Sequence, residues 1–525
     1  LASIIINSLT YYYSSPKYAV FKNISLNLST DWKLGLIGRN GKGKTTLLKL
    51  IHKELQPVKG EVFAAVDTYY FPFLPSDSSK HTFDVIRDNI APFSQWDIEM
   101  ERLLNKADEE SIRQYGILLE QYQALDGFKI DALIEKETRE IGISSDLLKR
   151  EFRTLSGGEQ TRVLLVSLFL KKNAFLLIDE PTNHLDIQGR MKLGEYLSDK
   201  KGYIVVSHDR YFLDLCIDHI LSINKSDVRL NKGNYSQWKY NMELEEEFEK
   251  RKKENLSREV KSLEAAAMKR RGWANLKEKE IKGAKKKKGH ISRISAKLMK
   301  RALTIESRVY DKLEEKKSLL KNFEKEKILK LETNTGSGEL IAYMENVSFA
   351  YDRQHVFKNI WFYLKKGDRI AITGSNGSGK TLLLKLLLNE LKADEGVVYL
   401  KHGISINYAR QKPLWNKGYL GDFLSDNNLD VTKFRNILGV LGSSGEIFDR
   451  PLETFSKGEI KKVELCKSFI QPFDLLIWDE PLNYLDIASR EQIEKVLLDS
   501  KPTMIFVEHD ITFINRIATD TIILD

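Results

Sequence analysis

The chain predicts an α/β protein in which two tandem domains, each a mostly parallel sheet covered by helices, are joined by a long α-helical hairpin. Three observations carry that prediction. First, the sequence is duplicated: Gly35–Leu50 (GLIGRNGKGKTTLLKL) reads like Ala371–Leu386 (AITGSNGSGKTLLLKL), Leu176–Asp186 (LLIDEPTNHLD) like Leu476–Asp486 (LIWDEPLNYLD), and Val205–Asp209 (VVSHD) like Phe506–Asp510 (FVEHD). Second, short apolar runs such as Lys33–Ile37, Phe175–Ile178 and Tyr203–Val206 alternate with helical patterns such as Thr45–His52, the mark of buried parallel strands with crossover helices. Third, Tyr240–Asn334 contains no proline and spaces its apolar residues by three and four.

In chain order, residues 1–239 form the first domain, 240–334 the linker and 335–525 the second domain. Lys44 and Lys380 are 336 positions apart, but Asp179 and Asp479 only 300, so the first copy holds about 36 additional residues between these motifs. The stretch at about 98–144, rich in Glu, Leu, Arg and Gln, is expected to be a helical insertion; an enlarged version of an ordinary helical subdomain is the alternative. In the linker, Leu244, Phe248, Leu256, Val260, Leu263 and Ala267 mark one amphipathic helix, and Leu298, Ala302, Ile305, Val309, Leu313, Leu320 and Phe323 a second. At 1.5 Å per residue, a helix of ~30 residues reaches roughly 45 Å, holding a tip at about 273–293 away from both domains.

The whole chain has 525 residues and a net charge of +9, with 42% hydrophobic and 30% charged residues, as in a soluble globular protein. Its charge is segregated. Lys250–Arg301 holds 20 Lys and Arg against 5 Asp and Glu, a surplus of +15 that leaves −6 for the remainder. A regional surplus of this kind suits contact with a polyanion; a spacer packed along the domains is the alternative. No apolar run approaches the ~18–20 residues of a membrane helix, and the first residues lack a signal-peptide pattern. The two cysteines, Cys216 and Cys466, have no ligand-like spacing, so a reducing cytoplasmic setting is expected and a structural metal is not.

The repeated motifs carry the chemistry. Gly38, Gly41, Gly43, Lys44 and Thr45, and again Gly374, Gly377, Gly379, Lys380 and Thr381, match the P-loop pattern, whose glycines let backbone N–H groups converge on phosphate oxygens. Lys44 and Lys380 would neutralise the outer phosphates; Thr45 and Thr381 would help hold Mg²⁺. Asp179 and Asp479 end apolar strands, where a carboxylate can reach that metal. Glu180 and Glu480 follow directly and would polarise the attacking water, and His208 and His509 would meet the γ-phosphate.

With LSGGE at Leu155–Glu159 between a P-loop and an Asp-Glu pair, the chain resembles the ATP-binding-cassette ATPases, and its two cassettes with a charged helical linker resemble the ABC-F family. Within that family, Ser29–Leu48, Trp478–Asp486 and Val507–Asp510 resemble the Lsa and Vga-like antibiotic-resistance members. The resemblance implies head-to-tail closure around two ATP molecules at the intramolecular domain interface. One site would comprise Gly38, Asn40, Gly41, Gly43, Lys44, Thr45, Thr46, Asp179, Glu180 and His208, faced by Ser456 and Gly458. The other would comprise Gly374, Asn376, Gly377, Gly379, Lys380, Thr381, Asp479, Glu480 and His509, faced by Ser156, Gly157 and Gly158. Tyr13 and Tyr351 stand where the family stacks an aromatic on adenine; packed edge aromatics are the alternative. Gln411 stands where the family carries a glutamine that reaches Mg²⁺ and water.

Two departures fall in the Lys44 site. Phe73 replaces the corresponding glutamine, and the second signature reads FSKGE, with Lys457 where the first has Gly157. Slower hydrolysis at that site is expected. The resemblance further implies a cytoplasmic, ribosome-bound protein acting on the bacterial 70S ribosome, with 23S rRNA and P-site or E-site tRNA as contacts. Its linker would point towards the peptidyl-transferase centre and promote release of lincosamides, pleuromutilins and streptogramin A. Lys285, Lys286, Lys287, Lys288, His290, Arg293, Arg270, Arg271 and Trp273 are the candidate RNA contacts, with a solvated turn, and Trp273 as a pin between helices, as alternatives. A translation factor for stalled ribosomes, an exporter subunit and a DNA-processing ATPase are the competing functions.

Overall fold

Each copy of the duplicated sequence folds about a sheet in which an interior strand leads into a P-loop. The computed structural model describes residues 2–14, 17–106, 108–223, 228–283, 338–351, 354–413, 415, 417–443 and 445–524. It divides into two units, one of Leu1–Ser236 with Leu329–Asp525 and one of Gln237–Ile328. In the first copy the strand order is Asp67–Phe71, Ala174–Asp179, Tyr203–Val206, Lys33–Gly38, His219–Ile223 and Val228–Lys232, parallel except for the last pair. In the second it is Ile406–Ala409, Leu475–Asp479, Met504–Val507, Arg369–Gly374 and Asp520–Leu524, all parallel. Adjacent parallel strands place the ends of three motif-bearing segments side by side, which is where α/β sheets present ligand sites.

The apolar runs are buried for a packing reason. Leu34, Leu36, Leu177, Ile204 and Val206 close one side of a core whose centre is the helix Lys44–Ile51, through Leu47, Leu48, Leu50 and Ile51. The other side is an antiparallel sheet of Lys17–Ser29, Ser3–Ser14 and Lys59–Ala64, matched in the second copy by Gln354–Lys365, Leu340–Tyr351 and Glu395–Leu400. Alternating polar residues on these strands hid the sheet among the patterns that announce the parallel core.

The helical insertion is shifted from its expected place. Helices Phe93–Lys106 and Glu109–Ala124 have no counterpart in the second copy, whereas Ile130–Glu140, also within the expected 98–144, corresponds to Val431–Val440. The two extra helices surround an aromatic cluster of Phe93, Trp96, Tyr122 and Phe128, with the Arg87 guanidinium 5.5 Å from the Phe93 ring centroid. All these segments share one composition, so the sequence offset alone does not say which helices are extra.

In the linker unit, one helix runs unbroken over Tyr235–Gly283. Its exposed face carries i,i+4 pairs such as Glu247–Arg251 at 2.6 Å and Glu254–Arg258 at 3.9 Å. The helix passes through Gly272, so Arg270, Arg271 and Trp273 are helical and not in a turn starting at 273; one glycine costs only about 1 kcal/mol amid good helix formers. Lys285, Lys286, Lys287, Lys288, His290, Arg293 and the second predicted helix lie outside the described residues. No helix among the described residues is long and apolar enough to cross a membrane.

The two copies meet through a buried ion cluster. Arg210 of the first donates to both carboxylate oxygens of Glu494 in the second, and to Asp510 Oδ2 at 3.4 Å. All three residues are buried, and the half-exposed Arg516 adds a 2.8 Å contact to Glu494. Removing one partner of a buried pair strands the other charge. Glu494→Ala is therefore expected to lower unfolding stability by about 3 kcal/mol, with Arg516→Ala costing under about 1 kcal/mol. Chemical denaturation of the variants measures both.

Candidate functional site

Three neighbouring strand ends assemble each site. The strand Lys33–Gly38 delivers the P-loop, Ala174–Asp179 delivers Asp179 and Glu180, and Tyr203–Val206, between them, delivers His208. Gly43 caps the following helix at φ 95°, and a Cβ there would sit 2.3 Å from Val20 and 2.8 Å from the Phe21 ring. Gly379, at φ 92°, is crowded in the same way by Val356 and Phe357. Only glycine meets both demands. A Cβ on Gly41 or Gly377 would meet nothing within 4 Å, so both loops are open on the side where phosphate would enter.

Lys44 and Lys380 are buried, and both ammonium groups turn back onto P-loop carbonyls. Lys44 Nζ donates to Gly38 O at 2.8 Å, and Lys380 Nζ to Gly374 O at 3.0 Å and Ser375 O at 2.7 Å. Burial pulls both lysines below the usual ammonium range, with nearby carboxylates opposing it. An arriving phosphate restores the favoured charged form.

Thr45 Oγ1 donates to Asp179 Oδ2 at 2.6 Å, and Thr381 Oγ1 to Asp479 Oδ2 at 2.9 Å. Asp479 Oδ1 is buried without a hydrogen-bond partner. A hydroxyl beside a carboxylate with an unused oxygen is a hard donor pair that fits Mg²⁺ shared with nucleotide phosphates. No cluster of three or more His, Cys, Asp or Glu among the described residues could hold a metal by itself. Thr45 with Asp179, and Thr381 with Asp479, would hold the ion, which would supply positive charge to neutralise the phosphates.

Glu180 and Glu480 both adopt left-handed backbone, φ 52° and 48°, an uncommon conformation for glutamate that concentrates at functional sites. Their surroundings differ. Glu480 Oε2 accepts from Gln411 Nε2 and Asn483 Nδ2, both at 2.8 Å. Burial works against its ionisation, but the nearby His509 ring, the Gln411 amide and the Lys380 ammonium hold its carboxyl below the usual range. Gln411 thus engages Glu480 beside the Thr381–Asp479 pair. Glu180 lacks such a partner because Phe73 occupies the glutamine position, and burial pushes its carboxyl above the usual range despite the charge of Lys44. His208 Nε2 lies 3.2 Å from Glu180 Oε1 but is aligned with Asn40 Oδ1 at 3.1 Å. His509 Nε2 lies 3.5 Å from Glu480 Oε1 without hydrogen-bond alignment. Burial pulls both histidines below the usual imidazole range.

A cavity of about 510 Å³ joins the two copies at the Lys44 site. The first copy contributes Tyr13, Asn40, Gly41, Lys44, Thr45, Thr46, Asp179, Glu180 and His208; the second contributes Ser456, Lys457, Gly458 and Tyr484. Ser456 caps the helix Lys457–Ile470 through a reciprocal box with Glu459, as Ser156 and Glu159 cap Gly157–Phe169. At the Lys380 site, Asn376 Nδ2 donates to His184 O at 2.9 Å, and that residue packs under Gly157 and Gly158. Tyr13 Oη lies 3.1 Å from Thr46 Oγ1, whereas Tyr351 is largely exposed beside Phe349.

Sequence reasoning missed Asp486, Tyr484 and Asp186, which meet the P-loops from the other copy, and Tyr70. Asn40 N donates to Asp486 Oδ2 at 3.1 Å and Asn40 Nδ2 to Tyr484 O at 2.9 Å; Asn376 N reciprocates on Asp186 Oδ2 at 3.3 Å. Lys457 Nζ lies 5.0 Å from the centroid of the Tyr484 ring. Tyr70, three residues before Phe73, donates to Asp179 Oδ2 at 3.0 Å. The paired HLD and YLD tripeptides were the available signal for the two aspartates. Gly43→Ala is expected to weaken nucleotide binding at the Lys44 site by about tenfold or more. Titration of a fluorescent ATP analogue into a Lys380→Ala background isolates that site.

The family model described as ABC transporter matches residues 21–183 and 357–483. ABC transporter F family member 5 of Arabidopsis thaliana is 28% identical over 96% of this chain and 72% of its own length. The ribosome protection protein VmlR of Bacillus subtilis is 29% identical over 98% of this chain and 85% of its own. The solved archaeal ribosome recycling factor aABCE1, in complex with ribosomal stalk protein aP1, covers 98% of this chain and 87% of its own at TM-score 0.57 and 18% identity, a likeness of fold. With two P-loops, two Asp-Glu pairs and two signature helices, the chain belongs to the ABC transporter family of ATP-hydrolysing domains.

Proposed function

We propose that this ATPase works on the bacterial 70S ribosome, where it confers antibiotic resistance by target protection. The observation that carries the reading is charge segregation: a +15 surplus over Lys250–Arg301, entered by the helix Tyr235–Gly283, against −6 for the remainder of the chain. Phosphate-rich RNA is the polyanion that suits such a surplus. The similarity to a ribosome protection protein over 98% of the chain supports the same direction. In this reading ATP with Mg²⁺ closes the cassettes in a form that fits the ribosome, and hydrolysis releases it. The linker contacts 23S rRNA and P-site or E-site tRNA near the peptidyl-transferase centre and promotes release of lincosamides, pleuromutilins or streptogramin A. ATP hydrolysis times binding and release and leaves the drug unaltered. The protein acts in the cytoplasm.

Cosedimentation with 70S ribosomes is expected to require ATP and to increase in the Glu180→Gln, Glu480→Gln double variant. Failure to associate under those conditions overturns the reading. Binding without any change in a drug-susceptibility panel would favour a translation factor. Alanine at Lys285–Lys288 is expected to weaken ribosome association while basal ATPase persists; unchanged association and resistance would make these lysines a solvated turn.

The sites are proposed to be unequal. Glu480 retains Gln411 as a partner, whereas the Lys44 site combines Phe73 with Lys457. Glu480→Gln should therefore remove most steady-state turnover and Glu180→Gln a minor share. Equal losses would count against the assignment.

A further inference from the structure

One pair of positions differs between the copies in a correlated way. In the first copy, Thr182 Oγ1 and Ser207 Oγ are 2.9 Å apart and buried, and Ser207 Oγ accepts from Asp209 N at 3.1 Å. This hydroxyl pair ties the turn after Glu180 to the turn that carries His208. In the second copy the same positions hold Leu482 and Glu508. Leucine has no hydroxyl to offer. Glu508, only 2% exposed, takes over with its longer side chain: Oε1 accepts from Leu482 N at 2.8 Å and Oε2 from His509 N at 3.1 Å.

The replacement joins more than two turns. Burial raises the cost of charge on Glu508, and Arg490, itself bonded to Asp510 at 2.9 Å, opposes that cost. Lys461 is also buried; burial pulls its ammonium below the usual range, and nearby carboxylates, Glu508 foremost, oppose that. It lies on the signature helix, at the place of Thr161 in the first copy, and donates to Arg410 O at 3.2 Å, next to Gln411. Gln411 in turn donates to Glu480. Leu482 after Glu480 and His509 across from it are thus held by Glu508, and Glu480 itself by Gln411, two groups that the first copy lacks.

We propose that Glu508 is a positioning residue for hydrolysis at the Lys380 site, fixing Glu480 and His509 relative to one another through the backbone of Leu482 and His509. The proposal rests on the assignment of Glu480 and His509 to that site. Glu508 touches neither nucleotide nor water in this role. It replaces the Thr182–Ser207 tie with two backbone hydrogen bonds to one side chain, which makes up for the missing hydroxyl at Leu482.

The test uses the full chain with Glu180→Gln, so that turnover comes from the Lys380 site. Glu508→Gln keeps the shape but turns an amide NH₂ towards one of the two backbone N–H groups. It is expected to lower kcat about tenfold while KM for ATP moves less than about twofold. Glu508→Ser should lose at least as much, and adding Leu482→Thr, which transplants the first copy's hydroxyl pair, should recover about half or more of the lost turnover. An unchanged kcat in Glu508→Gln, or a double variant no faster than Glu508→Ser alone, overturns the proposal. Turnover that survives Lys380→Ala in the same background overturns the site assignment and the proposal with it.

Discussion

The structure depends on an exchange of loops. Asp486 of the second copy accepts from the Asn40 N–H of the first P-loop, and Asp186 of the first accepts from Asn376 N–H in the second. Each P-loop is therefore completed by the other copy, and each signature helix is carried to the opposite nucleotide position. Without that reciprocity the sequence would hold two half-sites. Burial reinforces it: Asp486 is 1% exposed, and Lys462, Ser489 N and Asn40 N hold its carboxyl at about 2 against the cost of burial. The contact is therefore charged throughout the neutral range.

Two copies with one architecture have separated in detail. Glu180 stands without a glutamine, its carboxyl raised by burial, while Glu480 sits within a ring of hydrogen bonds from Gln411 and Asn483. The difference originates in single positions, Phe73 against Gln411 and Ser207 against Glu508. Gln411 reaches the Glu480 carboxylate itself, and Glu508 the backbone of Leu482 and His509. Identical folds do not impose identical electrostatics, and a tandem ATPase can divide its work between a site that turns over and one that holds.

Much of this was legible before any coordinates. Phosphate chemistry demands glycine at positions such as Gly43, where positive φ and the closeness of Val20 coincide, so the P-loops announce themselves by spacing. The duplication made Asp179, Glu180 and His208 readable through their partners Asp479, Glu480 and His509. The cross-copy contacts were not readable in the same way. Asn40 and Asp486 are 446 residues apart, and no local pattern encodes such a meeting. The insertion was misplaced because Ile130–Glu140 and the extra helices share composition, and only packing distinguishes them. The tip was set too early because Gly272 looks like a break but is carried within a long run of strong helix formers.

The root of the long helix has a mechanical meaning. Tyr235 Oη donates to Glu491 of the second copy at 3.2 Å, and Ser236 N donates to Asp214 of the first at 2.7 Å. The first two residues of the helix are thus clamped to both cassettes at once. Forty-nine helical residues measure about 73 Å at 1.5 Å per residue. Such a helix is a lever: a tilt of about 5° at its root sweeps the far end through roughly 6 Å, the size of one helical turn. Sub-ångström rearrangement at a pair of side chains can in this way be converted into displacement on the scale of a nucleotide base, with no further moving part.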